Sequence, residues 1–591
     1  MGTKRKAFFD SLQEQPNVSV LVVGGGINGI STFRELAMQG VDVVLVEQND
    51  FSSGSSAASS HMVHGGLRYL ENAEFRLVRE ALTERNRLLK NAPHYVFPLP
   101  TTIPIFRWLS GTFNAPLKFL GLSQKPAERG ALIIRLGLMM YDTFANTDRS
   151  MPTHNFMSKE QALMRFPGID QDIINAATYY DAWMPYPERI ALEVLLDGVK
   201  ASDKAQAMNY TRVVGGGGDS VTLRDELTGE YRTIKPAIVV NAAGPWIDFA
   251  NKNIGHETRF IGGTKGSHLV IDHPELHKTL GGHEIFFENT DGRIVLIFPL
   301  ADRVLAGTTD IRVDDPDTAV CTPEEIDYIL GLVNRIFPRF NVSQDDVVFT
   351  FSGVRPLPKQ DAATAGQISR DHSIKTVEAG NGTDYPVLSL VGGKWTTFRA
   401  FGEHTATEVL KRLNMTYDVN TAYMPIGGGK DYPANDRDRK KWIKRVASQT
   451  GQSEAWVATW FERYGTGAAK VAAFAAQSED KPLAHLSSYS VCEVRYIAAN
   501  EMVYTLMDFV LRRSLIAMLG KLTHNLLVEL SEIIGDELGW GASQREAQVA
   551  ATRERLTEKN LVLLEDDSST LVTTAPTADT TESALELVVG D

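Results

Sequence analysis

The apolar residues of this chain change their spacing several times, and each change marks an element. In VSVLVV, Val18 to Val23, they run almost unbroken and are mostly β-branched, which predicts a short strand covered on both faces. In NGISTFRELAMQ they recur at Ile30, Phe33, Leu36 and Ala37, the spacing of one helical face, and Gly40 ends the pattern. VDVVLV reads as a second strand that stops at Glu47. Beyond the small-residue run FSSGSSAASSHMVHGGLRYL, helical spacing returns in EFRLVREALTERNRLLKNAP.

From Ala207 to Val240, strand-like pieces (YTRVV, SVTLRDE, YRTIK) are separated by turns that include Gly215 to Gly218, and they feed IVVNAAGPW. Further on, IVLIFPL, RVLAGTTD and DVVFTFSGVRPL read as strands of a mixed sheet, with a helix near PEEIDYILGLVNRIF. VLSLVGGKWTTFRAFGEHTATEVLKRL repeats the order strand, glycine turn, helix, a junction able to aim backbone amides at an anion. From about Ala434 to Leu556 the spacing is helical, as in RDRKKWIKRVA, EAWVATWFERYG and EVRYIAANEMVYTLMDFVLRRSLIAML, and predicts a separate helical domain.

Gly24, Gly26 and Gly29 fall where the first strand turns into the first helix. In that place Gly24 permits a tight turn, Gly26 lets a pyrophosphate approach the backbone, and Gly29 allows close packing of helix on strand. Glu47, at the end of the second strand, can accept hydrogen bonds from a ribose. The pattern points to dinucleotide binding and leaves NAD and FAD undistinguished.

Composition narrows the class. The 591-residue chain is 43% apolar and 23% charged, as in a soluble globular protein of several domains. A net charge of −13 argues against general nucleic-acid binding, while allowing a local basic patch. Cys321 and Cys492 are far apart, which argues against a disulfide scaffold, iron–sulfur clusters and cysteine-rich metal sites and fits a reducing compartment. No metal site is expected. The first 17 residues are basic but lack the apolar core of a secretory signal, and no apolar run is long enough to span a bilayer. The end, SSTLVTTAPTADTTESALELVVGD, predicts an acidic and mostly disordered tail. One segment departs from the acidic whole: Pro104 to Phe144 mixes apolar residues with Arg107, Lys118, Lys125, Arg129 and Arg135. It reads either as a helical lid or as an element lying in a membrane interface.

Five motifs then carry a resemblance: HGGLRYL (His64 to Leu70), NAAGPW (Asn241 to Trp246), KGSHLV (Lys265 to Val270), SGVRPL (Ser352 to Leu357) and GGKWTTFR (Gly392 to Arg399). In this order, over about Val18 to Leu519, the chain resembles the FAD-dependent, quinone-linked glycerol-3-phosphate dehydrogenase family. Many members carry a lysine where this chain has His61, and some an arginine where it has Ala58. The resemblance implies an α/β fold: an FAD-binding Rossmann-like domain of the two-dinucleotide-binding (glutathione-reductase) type, a mixed-sheet substrate domain and an all-helical C-terminal domain. Its expected bounds are a segment at 1–17, the FAD domain over 18–430 with substrate-binding parts near 95–200 and 260–380, helices over 431–556, and a tail over 557–591.

By the same resemblance, sn-glycerol 3-phosphate is oxidised to dihydroxyacetone phosphate, with hydride passing to flavin N5 and electrons to ubiquinone or menaquinone. FAD is held noncovalently by Gly24, Gly26, Asn28, Gly29, Glu47, Ser55, Ser56, His64, Gly65, Ala243, Gly244, Gly353, Gly393, Lys394 and Thr396. Arg68 and Arg355 are the expected phosphate forks, because guanidinium contacts phosphate bidentately where lysine does not. Tyr69 adds a hydroxyl contact. His268 is the candidate base, since an ordinary histidine titrates near pH 6.5, and Lys394 is placed to stabilise an alkoxide or the reduced flavin. His268, Arg355 and Lys394 are thus the expected catalytic set. The expected setting is peripheral attachment to an anionic membrane surface, at the inner face of a cell membrane or at a mitochondrial inner membrane, with a homodimer possible. An oxygen-using glycerol-3-phosphate oxidase, an amino-acid or 2-hydroxyacid oxidoreductase and a non-catalytic flavin scaffold are the alternatives.

Overall fold

The computed structural model describes residues 3–66, 74–107, 134–135, 137–139, 141–142, 151–289, 293–359 and 371–564. Strands are numbered in chain order. The first sheet is eight-stranded and contains β1 (Asn17–Val23), β2 (Val43–Val46), β7 (Ala205–Met208), β8 (Thr211–Gly217), β9 (Ser220–Asp225), β10 (Tyr231–Asn241), β17 (Ser373–Val377) and β18 (Val387–Val391). Its centre, β7-β2-β1-β10-β18, is parallel. The valine-rich strands suit this position because both faces are covered. Val20, Val22 and Leu45 pack with Phe33 and Leu36 of the helix Ile27–Met38 and with Phe401 of the helix Phe398–Arg412. Leu21, Val44 and Val239 pack on the other side.

Part of that other side is closed by a helix the sequence reading left out, Thr3–Glu14. Phe8, Phe9 and Leu12 form its buried stripe, each stabilising the packing by about 1.5–3 kcal/mol. Arg5 goes inward with them and pairs with Asp225 at 2.5 Å. The basic start of the chain therefore includes a structural cation.

The second sheet is ten-stranded: β3 (Met62–Val63), β4 (Phe97–Ile105), β5 (Asn155–Ser158), β6 (Asn175–Trp183), β11 (Thr264–Ile271), β12 (Glu284–Glu288), β13 (Ile294–Leu300), β14 (Arg303–Gly307), β15 (Ile311–Arg312) and β16 (Val347–Arg355). β11 lies between β14 and β16 in antiparallel register. The described end of the basic segment belongs to this unit: Ile134, Leu138 and Tyr141 pack with Leu77, Val78 and Ile105. Those three side chains are spent on the core and do not face lipid. Arg135 is exposed, with its guanidinium 5.9 Å from the Phe156 ring. Lys118, Lys125 and Arg129 lie outside the described residues.

The helical layer includes Asp436–Thr450, Glu454–Tyr464, Ala468–Ala475, Val491–Asn500, His524–Leu538 and Ala542–Asn560. The helical stretch expected from Glu493 onward is broken, because Thr505 caps a new start at Leu506–Asp508 that runs into a π-helical turn, Phe509–Arg513. The layer is no free-standing bundle, since Trp460, Leu506 and Leu527 share one core with Val270, Phe298, Leu305 and Phe349 of the second sheet. Its last helix runs past the expected boundary at residue 556 to Asn560, whose side-chain amide donates to the Thr350 carbonyl at 2.8 Å.

Buried charge joins this layer to the first sheet. Asp50, four residues beyond β2, is enclosed by Arg512 and Arg513; Arg513 donates at 2.5 and 3.0 Å. Burial disfavours the carboxylate, yet Arg513 and Arg512 outweigh it and hold the Asp50 pKa down to about 2. Asp50→Asn should cost about 3–5 kcal/mol at neutral pH, because Arg513 loses its carboxylate and Arg512 one of its two. A carboxyl whose folded pKa is depressed stabilises the fold above its ordinary value and loses that effect as pH falls. The gap between wild type and variant in urea unfolding should therefore narrow from the ordinary 3.8 towards about 2.

Candidate functional site

The strand–glycine–helix junction builds a cradle. Gly24 takes φ +109°, and a Cβ at Gly29 would lie 2.0 Å from the Gly24 carbonyl oxygen, so the helix Ile27–Met38 is drawn tightly onto β1. Gly26 is its N-cap, and first-turn amides have no acceptor inside a helix. Ser56 Oγ accepts one of them, from Ile27, at 2.9 Å. The Glu47 carboxylate accepts from the Gly25 and Asn49 amides at 2.6 and 2.9 Å, so it braces the turn as well as lining the space where a ribose would lie. Asn28 donates its side-chain amide to the Gly392 carbonyl at 3.1 Å, which sets the two glycine turns side by side.

The second sheet supplies the other end. His268 stands on β11 opposite Phe351 of β16, and their rings stack 4.8 Å apart with 12° between planes. Its Nε2 is 2.8 Å from Ser60 Oγ, while Nδ1 is buried without a partner. Burial, with Arg355 and His61 adding to it, holds the imidazole pKa well below 6.5. Arg355, the last residue of β16, donates to Thr308 Oγ1 at 3.1 Å and to the Thr309 carbonyl at 3.3 Å, and faces Asp310 at 3.3 Å. Gly266 clears its path, since a Cβ there would lie 2.3 Å from the guanidinium. Lys394 precedes the turn Trp395–Thr397, which is pinned by Trp395 to the Ser56 carbonyl and by Thr396 to the His64 carbonyl.

One cavity of about 1340 Å³ brings most of the expected residues together: Gly24, Gly26, Asn28, Glu47, Ser55, Ser56, His64, Ala243, Gly244, His268, Gly353, Arg355, Gly393, Lys394 and Thr396 line it. Gly29 lies behind the wall. Gly65 is turned inward, its amide held by Asp181 at 2.8 Å within a buried group of Arg85 and Tyr141. Arg68 and Tyr69 lie outside the described residues.

Sequence reasoning missed Ser60, Thr308 and Asp310. Nothing marks Ser60 among the serines of SSGSSAASS. The Thr-Thr-Asp end of RVLAGTTD was visible, but its approach to Arg355 depends on the pairing of β11 with β14 and β16. The ordinary titration expected of the histidine is shifted by its surroundings: burial first, then Arg355 and His61, lower the His268 pKa. Among the described residues, no group of three or more His, Cys, Asp or Glu side chains could hold a metal.

The arrangement can hold an anion on Arg355, accept a proton on a neutral imidazole, and present amides to a dinucleotide. Comparisons with known proteins give the family. The FAD dependent oxidoreductase family matches residues 19–406, and the C-terminal domain of alpha-glycerophosphate oxidase matches residues 419–545. A glycerol-3-phosphate dehydrogenase of Synechocystis sp. is 33% identical over 569 residues, covering 92% of this chain and 97% of the relative. A D-erythritol 1-phosphate dehydrogenase of Brucella abortus is 33% identical over 524 residues, covering 85% and 95%. In fold, the chain is similar to the glycerol-3-phosphate dehydrogenase from Bacillus halodurans complexed with FAD, at TM-score 0.72, 24% identity and coverage of 94% and 97%.

The depressed basicity of His268 has a direct readout. A selectively labelled His268 ring should titrate well below the ordinary 6.5 by NMR. Arg355→Met removes a positive neighbour and should move its titration upward; an unchanged titration would mean that burial alone sets it.

Proposed function

Because the chain belongs to the FAD-dependent oxidoreductase family, in its glycerol-3-phosphate dehydrogenase branch, we propose that it oxidises the secondary alcohol of sn-glycerol 3-phosphate to dihydroxyacetone phosphate and passes the electrons to a membrane quinone. When bound, FAD supplies the acceptor for the alcohol's hydride. The residues fit it: the first-turn amides of Ile27–Met38 suit a pyrophosphate, the glycines leave the backbone open, and Glu47 suits a ribose. These contacts are noncovalent.

The substrate reading rests on the Arg355 guanidinium lining one cavity with the His268 imidazole, whose pKa is lowered by burial and by Arg355. Arg355 presents a guanidinium steadied by Thr308 and Asp310, and phosphate takes paired, charge-assisted bonds from such a fork. His268, whose Nε2 lies 2.8 Å from Ser60 Oγ, takes the hydroxyl proton as carbon loses hydride. Lys394 and Arg355 favour the negative charge that grows on oxygen as the proton leaves. Arg68 and Tyr69 remain part of the proposed substrate contacts.

A second reading, oxidation of a longer polyol phosphate, is favoured by the equal identity to the erythritol phosphate relative and by the floor beyond His268. Across β14, β13 and β12 the register runs from His268 to Gly307, Leu296 and Phe286, and the last two line the same cavity. No helix among the described residues is long and apolar enough to cross a membrane. Delivery to a lipid-soluble quinone therefore calls for peripheral contact with an anionic membrane surface, with exposed Arg135 and its neighbours in 104–133 as the basic contact.

Anaerobic addition of sn-glycerol 3-phosphate should bleach the bound flavin, and acid denaturation should release that flavin to the supernatant; flavin left in the precipitate would show a covalent link. Arg355→Ala should remove about 3 kcal/mol or more of kcat/KM for the phosphate ester and far less for glycerol. Equal losses for both alcohols would assign Arg355 a structural part only. Bleaching by erythritol phosphate but not by glycerol phosphate would replace the first reading with the second.

A further inference from the structure

The cavity has a second wall that the reaction does not use. The 50–60 turn has two sides: Ser56 meets the amide of Ile27, whereas Ala58 packs against the core of the helical layer. Towards that layer the lining comes from Leu511, Arg512, Met518, Arg555 and Lys559.

Not every cation on this wall has an ion-pair partner among the described residues. Arg512 and Arg513 are answered by Asp50 and Asp508. Arg555 is not answered: its Nη1 donates to the amide oxygen of Asn560 at 3.2 Å, and no carboxylate pairs with it among the described residues. Burial, and then the charge of Arg512, push the Arg555 pKa down to about 10. Lys559 lies one helical turn further on and gives its ammonium to the Asp317 carbonyl at 3.0 Å. Glu188 lines the same cavity near Arg512, and burial pushes its carboxyl up to about 8. Glu558 acts on Arg555 from the same helix without pairing with it, and the Asp317 carboxylate accepts from Trp246 Nε1 at 2.9 Å. A partly enclosed guanidinium without an anion is unfavourable, and like charges four residues apart on a helix add to that.

We propose that the compartment between the 50–60 turn and the helix Ala542–Asn560 is a second anion site, which takes a phosphate group on Arg512, Arg555 and Lys559, separate from the Arg355 fork. The ligand is inorganic phosphate or the phosphate of an organic ester. Arg512 spends Nε on Asp50 and Nη2 on Asp508, which leaves Nη1 for the ligand. A phosphate held there ties the last helix to the turn that carries Ser56 and Ser60, so it steadies the cradle and the His268 contact from outside.

The test uses the FAD-loaded full chain carrying Arg355→Gln, which removes the first fork. Inorganic phosphate is titrated in calorimetrically, with sodium chloride at matched ionic strength as control. Phosphate should still bind at roughly one equivalent per chain and raise the unfolding temperature. Adding Arg555→Gln should weaken that binding about tenfold or more, while Arg555→Lys retains part of it. Flavin absorbance confirms that each variant is folded and loaded. Absence of phosphate binding in the Arg355→Gln protein overturns the proposal, because a site on Arg512, Arg555 and Lys559 does not depend on Arg355. Binding by the flavin-free chain but not by the loaded one also overturns it, because the compartment then belongs to the pyrophosphate of FAD.

Discussion

Asp50 sits without solvent contact between two guanidiniums from the helical layer and the side-chain amide of Asn209, and the turn that follows it carries much of the cavity wall. Few arrangements tolerate an enclosed carboxylate; two fixed forks around it are one of them. Because the forks come from the π-helical turn Phe509–Arg513, the turn holding Ser55, Ser56 and Ser60 is tied to the helical layer. From there the chain of contacts continues: Ser56 receives Ile27, Ser55 donates to the Val354 carbonyl, and Ser60 meets His268. A charge cluster at the seam thus sets the geometry at both ends of the cavity.

Arg355, the proposed phosphate fork, also acts on His268, the proposed base, after burial has lowered its pKa. Arg355 is among the groups that keep His268 unprotonated, and an unprotonated ring is the form able to accept a proton. When an anion engages Arg355, its field at the imidazole is partly cancelled and the ring gains basicity as substrate arrives. Binding and proton affinity are coupled through one guanidinium, without any movement of the backbone.

Much of this was legible in the sequence. β1, the helix Ile27–Met38, β2 and the glycines between them follow from apolar spacing, since period and punctuation are local properties. The long helices Phe75–Asn91, Pro323–Ile336 and Phe398–Arg412 were visible for the same reason. What the sequence hid depends on partners distant in the chain. The stripe of Phe8, Phe9 and Leu12 is short, and Arg5 beside it looks like a surface cation until Asp225 appears next to it. Ile134, Leu138 and Tyr141 read equally well against lipid or against Leu77 and Ile105. The titration of His268 could not be read at all, because residue type gives the ordinary value and enclosure supplies the shift.

β16 pairs only with β11 among the described residues, so its other side is an open edge. That edge is occupied at two carbonyls, by Ser55 at Val354 and by Asn560 at Thr350. Side chains rather than another strand close the sheet, and one of them belongs to the last turn of the last described helix. During synthesis the strand that ends in Arg355 emerges some two hundred residues before Asn560, and a bare edge of this kind is a template on which a neighbouring nascent chain can add. Truncation within the final helix therefore threatens solubility through strand-to-strand association, even though the cradle and the reacting end are encoded well upstream.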